Sequence, residues 1–130
     1  MAHVVDPDGH PHHPQRLPQA EQVDAAAFFS LDIRVGRVIE VRPFPQARNP
    51  SWQLRVDFGP VVGELETSAQ LTNYAAVELL GRSVIGVVNL PPRPIAGFTS
   101  QFLILAGLEA SGVARLLGVD ADLPPGSRVA

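Results

Sequence analysis

The sequence predicts a mainly β domain, a five-stranded barrel with short helices, and three observations carry that prediction. Residues 53–58 alternate apolar and polar without a break, two later runs are almost wholly apolar, and one capped helical stretch falls between the third and fourth strand-like segments. At 130 residues the chain is long enough for one domain with a real core and too short for the two-lobed build of most cofactor enzymes.

Taken in order, residues 1–24 hold Pro7, Pro11, Pro14, Pro18 and all four His, with few large apolar groups. Burial cannot repay the entropy of ordering them, so they are expected to form a disordered tail, with the folded domain spanning 25–130. Asp24 can cap a short helix through Ala25–Phe29, whose Phe28 and Phe29 need an apolar surface to cover. Ile33 to Arg42 reads as a strand, and Gly36 beside the out-of-phase Arg37 suggests a bulge that bends it. Pro43, Pro45 and Pro50 mark a stiff loop.

Gln53 to Phe58 then places Leu54, Val56 and Phe58 inward and Gln53, Arg55 and Asp57 outward. Gly59 and Pro60 turn the chain into an antiparallel return over Val61–Ser68, and Thr72–Leu80, closed by Gly81, fits a short helix. Ser83–Leu90 and Gln101–Ala106 are nearly continuous apolar runs, which implies strands covered on both faces by a helix, the C-terminal segment or a second subunit. Val113–Leu117 is a further strand candidate. Strand, strand, strand, helix, strand, strand is the order of the OB barrel.

Composition bounds the chemistry. The formal charge is −3, and with the tail set apart nine acids face nine Arg, so any polyanion site must be a local patch. Without Cys there are no disulfides, thiolate metal sites or thiol nucleophiles. No apolar run is long enough to span a bilayer and no secretory signal opens the chain, so a cytoplasmic location without membrane insertion is the expectation. Gly97-Phe98-Thr99-Ser100-Gln101 lacks the second Gly of a nucleophile elbow, and no His lies in the folded body to act as its base. With no phosphate-cradling or dinucleotide motif either, the expectation is a binding protein with no catalytic residues, metal or cofactor. His3, His10, His12 and His13 could converge on a transition metal, but a solvated tail is the plainer reading.

Five segments occur in succession: Phe29-Ser30-Leu31-Asp32-Ile33-Arg34-Val35-Gly36, Phe44-Pro45-Gln46-Ala47-Arg48, Asp57-Phe58-Gly59, Ser68-Ala69-Gln70-Leu71-Thr72 and Val87 through Ser100. Together, over residues 28–129, they resemble the CsaA family of small export-related bacterial chaperones. That family is itself similar to the tRNA-binding domain appended to methionyl- and phenylalanyl-tRNA synthetases. The resemblance implies an OB fold, a homodimer, a surface for tRNA or other structured RNA, and binding of unfolded or precursor polypeptides.

On this reading the RNA-binding candidates are Arg34 and Arg55 on outward strand positions, Arg93 in the Pro-rich loop, and Ser68, Gln70, Asn89 and Ser100 at strand ends. Four Arg on phosphates would give a log affinity against log salt slope of about −3 on single strands. The same Arg could instead pair with Glu40, Asp57, Glu64 or Glu66, and Asn89 and Ser100 could serve their turns. Glu64 and Glu66, just before Ser68, would repel phosphate from that face. Trp52, Tyr74 and Phe98 are the candidates for an exposed stacking ring. Phe28, Phe29, Val87, Phe102 and Ile104 are the candidates for a dimer seam or a neighbouring peptide groove.

Overall fold

The computed structural model describes residues 10–130. Its strands are β1 (Ile33–Pro43), β2 (Trp52–Asp57), β3 (Glu64–Ala69), β4 (Ser83–Val87), β5 (Arg93–Ile95), β6 (Phe98–Ser100), β7 (Leu103–Ile104), β8 (Ala106–Leu108) and β9 (Ala114–Leu116). Short helices α1 (Ala25–Phe29), α2 (Gly59–Val62) and α3 (Ala76–Leu79) complete the chain, with a 3-10 turn at Pro14–Arg16. Among the described residues, no helix is long and apolar enough to cross a membrane.

Five antiparallel strands pair in the order β3-β2-β1-β4-β7, and the hairpins β5–β6 and β8–β9 stand apart from that sheet. The sheet curls until its ends meet. Gln101 N–H donates to the Glu66 carbonyl at 2.7 Å, Glu66 N–H donates to Gln101 Oε1 at 2.9 Å, and the buried Thr67 hydroxyl donates to the Phe102 carbonyl at 2.9 Å. These bonds satisfy the edge of β3 and nearly close the barrel, the OB architecture that the element order implied.

Leu54, Val56 and Phe58 are fully buried, as the alternation of β2 requires. Phe58 meets Phe102 edge to face at 4.8 Å between ring centres, and Leu79 of α3 and Leu71 also belong to this core. Two glycines make room for the ring pair: a Cβ on Gly36 would lie 2.7 Å from the Phe58 ring, and one on Gly86 would lie 2.9 Å from both rings. The bulge expected at Gly36 is therefore elsewhere. Gly36 pairs regularly with Val84, and the register of β1 against β2 slips between Val38 and Glu40, which turns Ile39 outward. What Gly36 supplies is close approach.

A second cluster packs Ile33, Ile85 and Val87 with Leu105 and Val129. Because β4 sends Val84 into the first cluster and Ile85 into the second, it is covered on both faces, and the C-terminal segment forms part of the second cover. That segment runs along the first half of β1: Val35 N–H donates to Ser127 O, Gly126 N–H to Val35 O and Val129 N–H to Ile33 O, each at 2.8 Å. The run Gln101–Ala106 departs from expectation, since its contact with β4 is short, the pairs of Leu103 and Ile104 plus Leu105 N–H donating to Ile85 O at 2.8 Å, and Leu103 is 52% exposed. The return expected over Val61–Ser68 begins only at Glu64, because Gly59–Val62 makes a helical turn first, and α3 covers only part of Thr72–Leu80.

Of the expected tail, residues 1–9, including His3 and Pro7, lie outside the described residues. In the remainder His12 N–H donates to Ala110 O at 2.9 Å, and the Pro14–Arg16 turn is capped by His13 Nδ1 accepting from Gln15 N–H. The fixed φ of Pro14 lowers the entropy cost of that turn.

Candidate nucleic-acid interface

The predicted basic residues do not share one fate. Arg34 grips Asp32 with both ends of its fork, Nε to Oδ1 at 2.8 Å and a terminal nitrogen to Oδ2 at 3.2 Å. This hydrogen bond raises the Arg34 pKa further above its ordinary value, against the opposing effect of partial desolvation. Arg55 sits among three carboxylates, with Glu66 at 2.6 Å, Glu40 at 3.4 Å and Glu64 at 3.6 Å, while Arg42 holds the other oxygen of Glu40. Cross-strand register causes this: Arg55 lies opposite both Glu40 on β1 and Glu66 on β3. Neither guanidinium is poised for phosphate.

Two of the predicted polar residues are likewise spent on the fold. Asn89 accepts from Asp32 N–H and donates to Ser30 O, both at 2.8 Å, which ties the end of β4 to the start of β1. Ser100 is buried, and its hydroxyl shares a 2.9 Å bond with Thr67 where the barrel closes. The turn-residue alternative therefore describes Asn89, whose amide is used on both sides.

Arg93, Ser68 and Gln70 do come together, along the wall of an open groove of about 1110 Å³, and the buried Ser100 lines it as well. The groove lies between the loop after β1, the end of β3 and the Pro-rich segment leading into β5, where OB barrels bind oligonucleotides. Arg48 lines it too and was missed in the list of RNA candidates. The signal available was its place in Phe44-Pro45-Gln46-Ala47-Arg48, in a loop with no neighbouring acid. Arg48 and Arg93 are exposed and make no ion pair among the described residues; the same holds for Arg82 and Arg128, but these do not line the groove, and Arg34, Arg37, Arg42, Arg55 and Arg115 are all paired.

Trp52 and Tyr74 pack into the core, whereas Phe98 is half-buried beside Arg55 and Glu66. The Trp52 indole donates to Tyr74 O at 3.1 Å, the buried Tyr74 hydroxyl accepts from Leu116 N–H, and Phe98 packs on Phe44 at 5.5 Å between centres. Phe102, the aromatic residue lining the groove, is buried, so among the described residues no exposed ring offers a stacking platform there.

Of the seam candidates, Val87 and Phe102 are buried in the two clusters and cannot form a surface, because both faces of β4 and the barrel closure are already packed. Ile104 is half-buried against the core. Phe28 and Phe29 stand open, Phe29 at 72% exposure, and meet each other edge to face at 5.5 Å. Leu90, Leu103 and Leu108 form an exposed apolar side of the groove. Among the described residues no group of three or more His, Cys, Asp or Glu is placed to hold a metal ion.

A barrel of this order with a groove at this position is the architecture of a nucleic-acid-binding module, and comparison with known proteins names the class. Residues 33–128 match the family model described as "Putative tRNA binding domain", and the chain belongs to that family. It is similar to the CsaA chaperone protein of Picrophilus torridus, at 38% identity and TM-score 0.80, over 84% of this chain and 100% of that one. The chaperone CsaA structure from Bacillus anthracis matches at 36% identity and TM-score 0.80, over 85% of this chain and all of that one. A methionine–tRNA ligase from Porphyromonas gingivalis is 37% identical over 88% of this chain, which spans only 17% of the ligase. The Bacillus subtilis ligase is 33% identical over 89% of this chain, with the same 17% of its own length covered.

Proposed function

We propose that this protein is a non-enzymatic binder of tRNA or similarly structured RNA, working in the cytoplasm through the groove between Arg48 and Arg93. The observation that carries the reading is that these two guanidinium groups, free of carboxylates, line the OB ligand groove together with Ser68 and Gln70. Planar forks suit phosphate, and hydroxyl and amide groups suit ribose and base edges. With no exposed ring in the groove, the grip is on the backbone and shape of a folded RNA. The membership of the family supports the same reading.

Fluorescence titration of labelled tRNA at low salt tests it. The Arg48→Ala/Arg93→Ala double variant should weaken binding by well over tenfold at about 50 mM salt, since each lost phosphate contact removes a salt-slope increment of about 0.7. An unchanged affinity in that variant overturns the assignment.

A second reading, capture of unfolded polypeptide, is favoured by the exposed Leu90, Leu103 and Leu108 on the side of the same groove and by the chaperone names of the two structures above. For the open face of α1 we favour a second copy of the chain. Phe28, Phe29 and Leu31 expose contiguous apolar surface that a homodimer would cover.

A further inference from the structure

Resting on that reading, we propose that Glu66, with Glu64 and Glu40, restricts how much of the barrel the RNA can use by holding Arg55 out of reach of phosphate. In an OB barrel the outer face of the second and third strands continues the ligand groove. Here that face is divided along its length. Gln53 pairs with Ser68 at the groove end, and two residues further along Arg55 pairs with Glu66, so the groove and the acidic end share one surface.

The division is electrostatic. Arg55 contacts Glu66, Glu40 and Glu64, and Glu40 is shared with Arg42, so three carboxylates meet two guanidinium groups. The local formal charge is negative, and Arg55 is more than half buried beneath its partners, with its Nε lacking a well-formed hydrogen bond. An RNA strand leaving the groove along β2 and β3 would meet net repulsion where the chain carries an Arg. Neutralising Glu66 removes the shortest of the three ion pairs, balances the patch and frees one nitrogen of Arg55 for a phosphate oxygen.

The test is tRNA titration across a salt series with Glu66→Gln, Glu64→Gln/Glu66→Gln, and Glu66→Gln/Arg55→Ala. The amide keeps the size of the side chain, and the Glu66 backbone still closes the barrel. Glu66→Gln should tighten binding roughly fivefold to tenfold at about 50 mM salt and steepen the slope by about 0.7, the value of one added phosphate contact. The double Gln variant should tighten it at least as much, and Arg55→Ala should abolish the gain. Unchanged affinity in both Gln variants, or a gain that survives Arg55→Ala, overturns the inference. The Arg48→Ala/Arg93→Ala variant, measured in parallel, separates this from failure of the underlying reading: if it binds as the parent does, the groove assignment falls first.

Discussion

Gly36 illustrates how a single missing side chain decides the packing of the barrel. A methyl group there would sit 2.5 Å from Val56 Cγ1 and 2.7 Å from the Phe58 ring, both fully buried in the core. Gly36→Ala should therefore cost about 1–3 kcal/mol by overpacking, read as a lowered midpoint in chemical denaturation with an unchanged slope. The glycine was visible in the sequence, but its purpose was not, because a bulge and a close approach leave the same local signature. Basic residues show the same limit. Outward parity for Arg34 and Arg55 could be read from alternation. The carboxylates that take them depend on cross-strand register, which the helical turn α2 sets, and on Asp32 folding back two residues. Arg34→Ala should consequently leave tRNA affinity within about twofold of the parent, less than the loss of one phosphate contact. The raised Arg34 pKa has a definite sign: its contribution to stability is present below the unfolded value and is lost only as pH climbs through the folded one. Both lie far above neutrality, so the titration of Arg34 gives no pH dependence in the physiological range.

At the scale of elements, the strands with clean alternation were legible and those completed by distant segments were not. Leu54, Val56 and Phe58 point inward as their period requires. The part of Gln101–Ala106 bonded to β4 shrinks to 103–105, because β3 takes the closing hydrogen bonds through Gln101 and the chain then turns into β8. The double cover of β4 was foreseen with three possible sources, and part of it is the C-terminal segment bonded to Ile33 and Val35. Deleting residues 124–130 removes those backbone bonds and opens Ile33, Ile85 and Val87 to water. A loss of about 3 kcal/mol or more is expected, with the thermal midpoint as the readout. Helix α1 behaves in the opposite way. It buries no residue of its own, so replacing Phe28 and Phe29 with Ser should change monomer stability by less than about 1 kcal/mol. If a second copy covers that face, the same double variant should lower the mass found by light scattering at micromolar concentration from that of a dimer to that of a monomer. A parent chain that is already monomeric would remove α1 as a seam.

For the whole molecule the net charge of −3 says little about the ligand, because five of the ten Arg are held by carboxylates. What matters is how many guanidinium groups remain for phosphate, and that number can be measured through counterion release. Four engaged Arg would give a slope of log affinity against log salt near −3, whereas Arg48 and Arg93 alone give about −1.4 on single strands and about −1.8 on a duplex-like surface. Titration of tRNA between about 50 and 300 mM salt resolves these values. The shallower slope is expected because Arg34 and Arg55 would have to leave carboxylates at 2.8 and 2.6 Å before meeting phosphate, exchanging one ion pair for another and leaving Asp32 or Glu66 unpaired. A slope of −3 would mean that RNA makes this exchange, and the ion pairs on β1, β2 and β3 would then be a resting arrangement opened by the ligand.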